Sequence, residues 1–227
     1  MCSRYFLDAD GNIIAYTFRV PVNESIGRRY NIAPTQAAPV VRVDAAGARE
    51  SAMLRWGLVP PWAKDIAVGN RMINARSEGI EAKPAFREAV RERRCLVPAT
   101  GFYEWKGVPG RKQPYAIGTA DRPLFAFAGV WERWQPRGGD PIETFAIVTT
   151  DAAPAVQTIH DRMPVIVRPE DEDAWLGGSL DDARALLKPY EAPLSVRAVS
   201  RAVSDPRHEA PDCLDDAEPT SDQQSLI

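Results

Sequence analysis

Leu124-Phe125-Ala126-Phe127-Ala128-Gly129-Val130-Trp131 crowds aromatic and aliphatic residues into one uninterrupted run, and such a run reads as a β-strand. Pro114 to Ile117, Phe145 to Thr149 and Val165 to Val167 have the same character, with turn chemistry such as Gly138-Gly139-Asp140 between them. Towards the amino terminus, Arg4 to Leu7, Pro39 to Val43 and Ser51 to Leu58 read as further strands, the last two joined by a hairpin-like turn at Asp44-Ala45-Ala46-Gly47. Ile13 to Val20 reads as extended or mixed, after a turn at Asp10-Gly11-Asn12. Helices are few. One is expected from about Pro84 to Arg94, with Pro84 in its first turn, Phe86, Ala89 and Val90 as its apolar stripe, and Arg87, Arg91, Arg93 and Arg94 turned to water. Another is expected from about Ala152 to Ile159, capped by Asp151 and delivering His160 at its end. Two short ones near Pro169 to Leu176 and Leu180 to Leu187 precede the strand-like Ser195 to Val199. The expected fold is therefore α+β: a single β-rich domain of curved, barrel-like sheets over residues 1–204, with a few peripheral helices.

Composition narrows the class. A chain of 227 residues can bury a full core in one domain, and 44% hydrophobic with 26% charged residues is ordinary for a globular protein. No apolar run approaches the roughly 20 residues of a membrane-spanning helix, and the amino terminus lacks a basic segment followed by an apolar one, so a cytoplasmic protein with no membrane partner is expected. Three cysteines, Cys2, Cys95 and Cys213, without a CxxC and with only His160 and His208 to assist them, argue against a disulfide framework and a structural zinc site; no metal or cofactor is expected. The net charge of −3 is uneven: residues 205–227 carry −6 and the remainder +3. A mildly basic body permits nucleic-acid binding, and the acidic tail, rich in Pro, Asp, Ser and Gln, is expected to be disordered.

Cys2 directly follows the initiator methionine. Removal of Met1 leaves a free amine and a thiol on adjacent carbons, a 1,2-aminothiol, with ordinary pKa values of roughly 7.7–8.0 and about 8.5. An aldehyde is the natural target of such a pair: the amine condenses to an imine and the thiolate closes a thiazolidine. Asn74, Glu104 and His160 are the other polar residues that packing does not obviously require. Glu104 lies among large residues in Gly101-Phe102-Tyr103-Glu104-Trp105, sharing a strand face with Phe102 while Tyr103 and Trp105 share the other. Trp56-Gly57-Leu58-Val59-Pro60-Pro61-Trp62 reads as a rigid loop with two tryptophans, of which Trp56 is expected in the core.

These segments resemble, in order, the SOS-response-associated peptidase (SRAP) family of abasic-site processing proteins. The matching stretches are Met1-Cys2 with Arg4, Tyr30-Asn31-Ile32-Ala33-Pro34, Arg55-Trp56-Gly57-Leu58-Val59-Pro60 with Trp62-Ala63, Ile73-Asn74-Ala75-Arg76-Ser77-Glu78, Arg94-Cys95-Leu96-Val97-Pro98-Ala99, Gly101-Phe102-Tyr103-Glu104-Trp105, Ala128-Gly129-Val130-Trp131-Glu132, Thr149-Thr150 and His160-Asp161-Arg162-Met163-Pro164. The resemblance implies a monomer that binds single-stranded DNA and forms a covalent crosslink with an abasic site through Cys2 once Met1 is gone. It implies Cys2 as nucleophile, Asn74 and Glu104 holding and activating its amine, and His160 assisting the opening of the sugar. Arg76, Trp105, Thr149 and Arg162 would lie along the DNA path, with Arg4, Pro34 and Trp62 beside it. Ser3 departs from the glycine usual after the cysteine, and Ser200-Arg201-Ala202-Val203-Ser204 lacks the expected asparagine. The residues alone leave two other readings open: a hydrolase of the N-terminal-nucleophile kind, and a non-covalent binding module with an inert Cys2. Such a hydrolase would have no use for the arginines and the tryptophan of a DNA path.

Overall fold

In the computed structural model, which describes residues 2–108 and 110–218, the chain runs through β1 (Tyr5–Leu7), α1 (Gly11–Phe18), β2 (Arg29–Ile32), β3 (Ala37–Val43), β4 (Arg49–Trp56), β5 (Asn74–Arg76), α2 (Arg87–Glu92), β6 (Arg94–Ala99) and β7 (Gly101–Lys106). It continues through β8 (Gln113–Thr119), β9 (Phe125–Trp134), β10 (Ile142–Asp151), α3 (Pro154–Gln157), β11 (Arg162–Pro164), β12 (Ile166–Val167), α4 (Glu172–Gly177), α5 (Leu180–Ala185) and β13 (Leu194–Ala198). The aromatic run at 124–131 is the heart of β9, bonded antiparallel to β6 on one side and to β10 on the other. β10 pairs in parallel with β4, β4 with β3, and β3 with β6. The ring β10-β4-β3-β6-β9 thus closes on itself as a five-stranded barrel, which leaves these strands without an open edge. β5, β11 and β12 extend the same sheet beyond the ring. The α+β expectation holds.

A second sheet of order β13-β8-β7-β1-β2 lies against the barrel. Its inner face contributes Tyr5 and Phe102, which meet Phe127 edge-on at centroid separations of 5.9 and 6.0 Å, and Tyr5 also meets Trp56 at 5.2 Å. Alternation along the strands sends Phe6 and Tyr103 to the opposite face, where they form a smaller apolar cluster with Ala116, Val199, Val203 and Cys213. Glu104 therefore leaves β7 on the barrel side and Trp105 on the other.

Four expectations change. Ile13 to Val20 is not extended, because Asp10 caps a helix: its side chain accepts from the backbone N–H groups of Asn12 and Ile13, and Ile14 and Phe18, one turn apart, are both buried. Burying two such side chains is worth about 1.5–3 kcal/mol each, which decides the matter against a turn. The helix expected from Pro84 is shorter, and Arg94 is buried rather than wet: its guanidinium donates to the carbonyls of Trp175, Gly178 and Val90, with Trp175 beneath it. Asp151 does not cap α3, whose N-cap is Ala153; it ends β10 and pairs with Arg162. The tail does not begin at 205 as a disordered segment. Glu209 accepts from the Asn31 N–H at 2.9 Å, from the Tyr30 N–H and from Arg29, Asn31 donates to the carbonyls of Asp205 and His208, and a 3-10 turn at Pro211–Leu214 buries Cys213. The last residues of the expected tail, 219–227, lie outside the described residues.

Candidate active site

The framework of the site is the seam where β5 joins β10. Trp56, fully buried and stacked on Phe145 at 6.3 Å, donates its indole N–H to the Ile73 carbonyl at 2.9 Å. Gly57 follows at φ 122, with its α-carbon so close to Gly69 that an added Cβ would stand 2.6 Å from the Gly69 carbonyl oxygen, a conformation and an approach that glycine tolerates. These contacts fix the loop that leads into β5, and β5 then runs parallel to β10 with Asn74 opposite Ile147 and Arg76 opposite Thr149. Asn74 faces the amino terminus: its Nδ2 donates to the Cys2 carbonyl at 2.7 Å. Its Oδ1 is buried with no hydrogen-bond partner among the described residues, and the same is true of Thr149 Oγ1. Unpartnered buried oxygens are uncommon in a folded interior and mark places where another group is expected.

β1 and β7 bring the next two residues in. Their antiparallel register, Tyr5 opposite Phe102, is extended by the Tyr103 N–H donating to the Arg4 carbonyl at 3.0 Å, so the chain before Tyr5 runs alongside Glu104 and Trp105. The Cys2 side chain is wholly buried, and burial, reinforced by the charge of Glu104, pushes its thiol well above the ordinary range. Glu104 is itself only 4% exposed, and desolvation pushes its carboxyl up to about 7, with Asp161 acting in the same direction. A group poised there is both acid and base near neutral pH.

His160 arrives from the far side. Between β10 and β11 the chain makes an excursion through α3, closed at its foot by the Ala152 N–H donating to the Asp161 carbonyl at 2.9 Å. The Arg162 N–H donates to His160 Nδ1 at 2.9 Å, so in the neutral ring the proton sits on Nε2. Asp161 Oδ1 stands at 2.9 Å from the same Nδ1 and would take over that nitrogen if the ring became charged. Burial holds His160 below the ordinary imidazole range, Lys112 adds to that, and Asp161 opposes it. His160, Glu104, Trp105, Ser3, Arg4, Lys112 and Ser204 line one open cleft of about 390 Å³.

The structure treats the expected DNA-path residues unequally. Arg76 is exposed and makes no ion pair among the described residues. Trp105 is partly exposed, donates to Ser204 Oγ at 3.2 Å and carries the Arg4 guanidinium over its ring at 5.7 Å. Arg4 is anchored from behind by Asn31 Oδ1 at 2.7 Å and the Val203 carbonyl at 3.0 Å. Pro34 is half-buried, and Trp62 is 61% exposed beside a separate depression lined by Lys64, Trp134 and Arg137. Thr149 is fully buried. Arg162 is 9% exposed and both its terminal nitrogens are engaged: Nη1 meets Glu78 at 2.7 Å and Asp151 at 2.9 Å, while Nη2 meets Glu78 at 2.9 Å and the Thr149 carbonyl at 2.7 Å. That guanidinium holds the β10–β11 excursion to the end of β5 and is not presented to solvent. Lys112 and Asp161 belong to the site without having been singled out from sequence, Asp161 having only its place next to His160 as a signal, while Ser204 stands where the expected asparagine is missing.

The SOS response associated peptidase (SRAP) family model matches residues 1–206. The chain belongs to the SRAP family. Among its SRAP relatives, abasic site processing protein YoqW of Bacillus subtilis (strain 168) is 39% identical over 223 residues, covering 95% of this chain and 99% of the relative. Abasic site processing protein YoaM of the same organism is 42% identical over 191 residues, covering 82% of this chain and 84% of its own. Abasic site processing protein HMCES of Gallus gallus is 32% identical over 219 residues, covering 82% of this chain and 65% of the longer relative. A crystal structure of a Bacteroides thetaiotaomicron protein superposes on the SRAP chain with a TM-score of 0.85 at 28% identity, covering 96% of this chain and 100% of that one. A phage-related protein of Bordetella bronchiseptica superposes with a TM-score of 0.67 at 29% identity, covering 88% and 95%.

Proposed function

We propose that this protein processes abasic sites in single-stranded DNA, capturing the aldehyde of the lesion on an amino-terminal Cys2 as a thiazolidine. The observation that carries the reading is at Asn74, whose Nδ2 holds the Cys2 carbonyl while its buried Oδ1 has no hydrogen-bond partner among the described residues. An α-amine freed at Cys2 by removal of Met1 is a donor suited to that oxygen. The naming of the SRAP relatives as abasic site processing proteins supports the choice of aldehyde.

The abasic deoxyribose is mostly a closed hemiacetal, so a proton must leave its C1′ hydroxyl and another reach the ring oxygen before an aldehyde exists. His160, neutral with its proton on Nε2, gives that proton to the ring oxygen and recovers one at the same nitrogen from the C1′ hydroxyl. The Cys2 amine adds to C1′, and protonated Glu104 gives its proton to the departing hydroxyl, which leaves as water. Glu104 is then ionised and takes the proton from Cys2 Sγ, and the sulfur bonds to C1′ of the iminium, whose nitrogen keeps its one proton as the neutral ring amine. One water is lost overall and the ring is closed. The raised thiol value suits this order, because the thiolate forms only when a base has just been made beside it. Release of Met1 by the chain itself belongs to the same reading, with Glu104 as the base. Arg76, Lys112 and the Trp105 face give the strand phosphate partners and a stacking surface without sequence preference. Trp62 extends that path, and Arg162 contributes by positioning His160.

The full chain incubated with a single-stranded oligonucleotide carrying one abasic site is expected to give a crosslinked band stable to denaturing electrophoresis. Cys2→Ala and an uncleaved amino-terminal extension are each expected to abolish it. A band that survives either change overturns the proposal.

A further inference from the structure

We infer that the carboxy-terminal segment carries a binding site for a divalent transition-metal ion of the zinc class, formed by His208, Asp212 and Cys213. Their ligand atoms, one nitrogen, one carboxylate oxygen and one sulfur, all lie within 4.8 Å of one another. His208 Nε2 is 2.7 Å from Asp212 Oδ1, so one of the two is already turned to share a cation or a proton with the other. Cys213 is fully buried, and its Sγ has only a long contact, 3.7 Å, to the His208 carbonyl. The sulfur is weakly bonded and within reach of an imidazole and a carboxylate, so it is placed to serve as the third ligand; burial and the Asp212 charge hold its thiol above the ordinary range until an ion displaces the proton. The donor set selects the ion: sulfur and imidazole favour zinc, cobalt or cadmium over magnesium or calcium, which take oxygen shells. On binding, the Cys213 thiol proton and any proton between His208 and Asp212 pass to solvent, and a water completes four-coordination.

The backbone makes the site a staple. Between its ligands lies Glu209, which receives the Asn31 and Tyr30 N–H groups and Arg29. Asn31 in turn receives Arg4 and donates to the Val203, Asp205 and His208 carbonyls. An ion closing 208 to 213 therefore fastens the segment that backs Arg4 and Ser204 in the cleft. Sequence spacing concealed the site because it has no paired-cysteine motif; a short turn brings the ligands together.

The test titrates the full chain with Co²⁺ or Cd²⁺ and reads thiolate-to-metal absorption, and with Zn²⁺ while recording thermal unfolding. One ion per chain, a thiolate band and a raised melting temperature are expected. His208→Gln and Asp212→Asn, at sites open to solvent, are each expected to weaken binding by about tenfold or more, since even outer-shell partners change metal affinity by that much. Cys213→Ser is expected to remove the band, and Cys2→Ser to leave it. No band, a band lost with Cys2 instead, or affinity unchanged in both His208→Gln and Asp212→Asn overturns the inference.

Discussion

Glu104 binds its proton more tightly in the folded chain than in the unfolded one, and the sign of that shift dictates a pH dependence. Its contribution to stability is complete below the unfolded value of 4.5 and is lost as pH rises through about 7. The shift sets a ceiling of about 3 kcal/mol on the loss. Glu104→Gln is expected to flatten this slope, so that urea midpoints measured at about pH 5 and about pH 8 differ less in the variant than in the parent; an unchanged slope would place the ionised carboxylate in a solvated setting. Asp161 acts on His160 in the opposite sense to burial, holding the cation up. Asp161→Asn is expected to lower the His160 value further and to carry the acidic limb of the crosslinking rate to lower pH. A limb that stays put or moves upward contradicts the assignment of neutral His160 as the group that relays the proton.

At the scale of elements, the site depends on how firmly the β10–β11 excursion is held. Arg162 is buried among Glu78, Asp151 and the Thr149 carbonyl, but Glu78 and Asp151 remain 56% and 77% exposed. Breaking such a half-wet network costs less than a fully buried pair, so Arg162→Met is expected to lower stability by about 1–3 kcal/mol in chemical denaturation. It should also slow crosslinking more than it weakens binding to undamaged single strands, because the excursion that carries His160 loses its anchor. The strands were legible in the sequence because β-rich runs with intervening turns carry their own signal. The fate of Arg162 was not, since its guanidinium meets a partner 84 positions away and spacing says nothing of that. Asp10 misled for a related reason: the same aspartate suits a turn and a helix cap, and only the burial of Ile14 and Phe18 separates the two. Arg94 read as one of four wet arginines, while carbonyls from α4 and its flank were waiting for it.

For the molecule as a whole, the closed barrel gives a rigid floor and the carboxy-terminal segment a fitted wall. Cys2, Asn74, Glu104 and His160 come from the amino terminus, β5, β7 and the β10–β11 excursion, and only their order along the chain, matched to a family, announced that they would meet. The wall was missed because its composition resembles a solvated tail; Glu209 reverses that by meeting Arg29 and two backbone N–H groups. Glu209→Ala leaves the fully buried Asn31 without that acceptor and is expected to cost about 1–3 kcal/mol, with a parallel loss in single-strand affinity as Arg4 loses its backing. An Ala variant with parental stability would mean that the segment is not a wall. The central claim is that Cys2 becomes a free aminothiol and closes a ring on the abasic aldehyde. Intact mass spectrometry of the protein after exposure to an abasic single-stranded oligonucleotide tests it directly. The account predicts a species equal to the chain without Met1 plus the oligonucleotide less one water, with the link mapped to Cys2; an adduct that retains Met1, or one mapped to Lys112 or another amine, contradicts it.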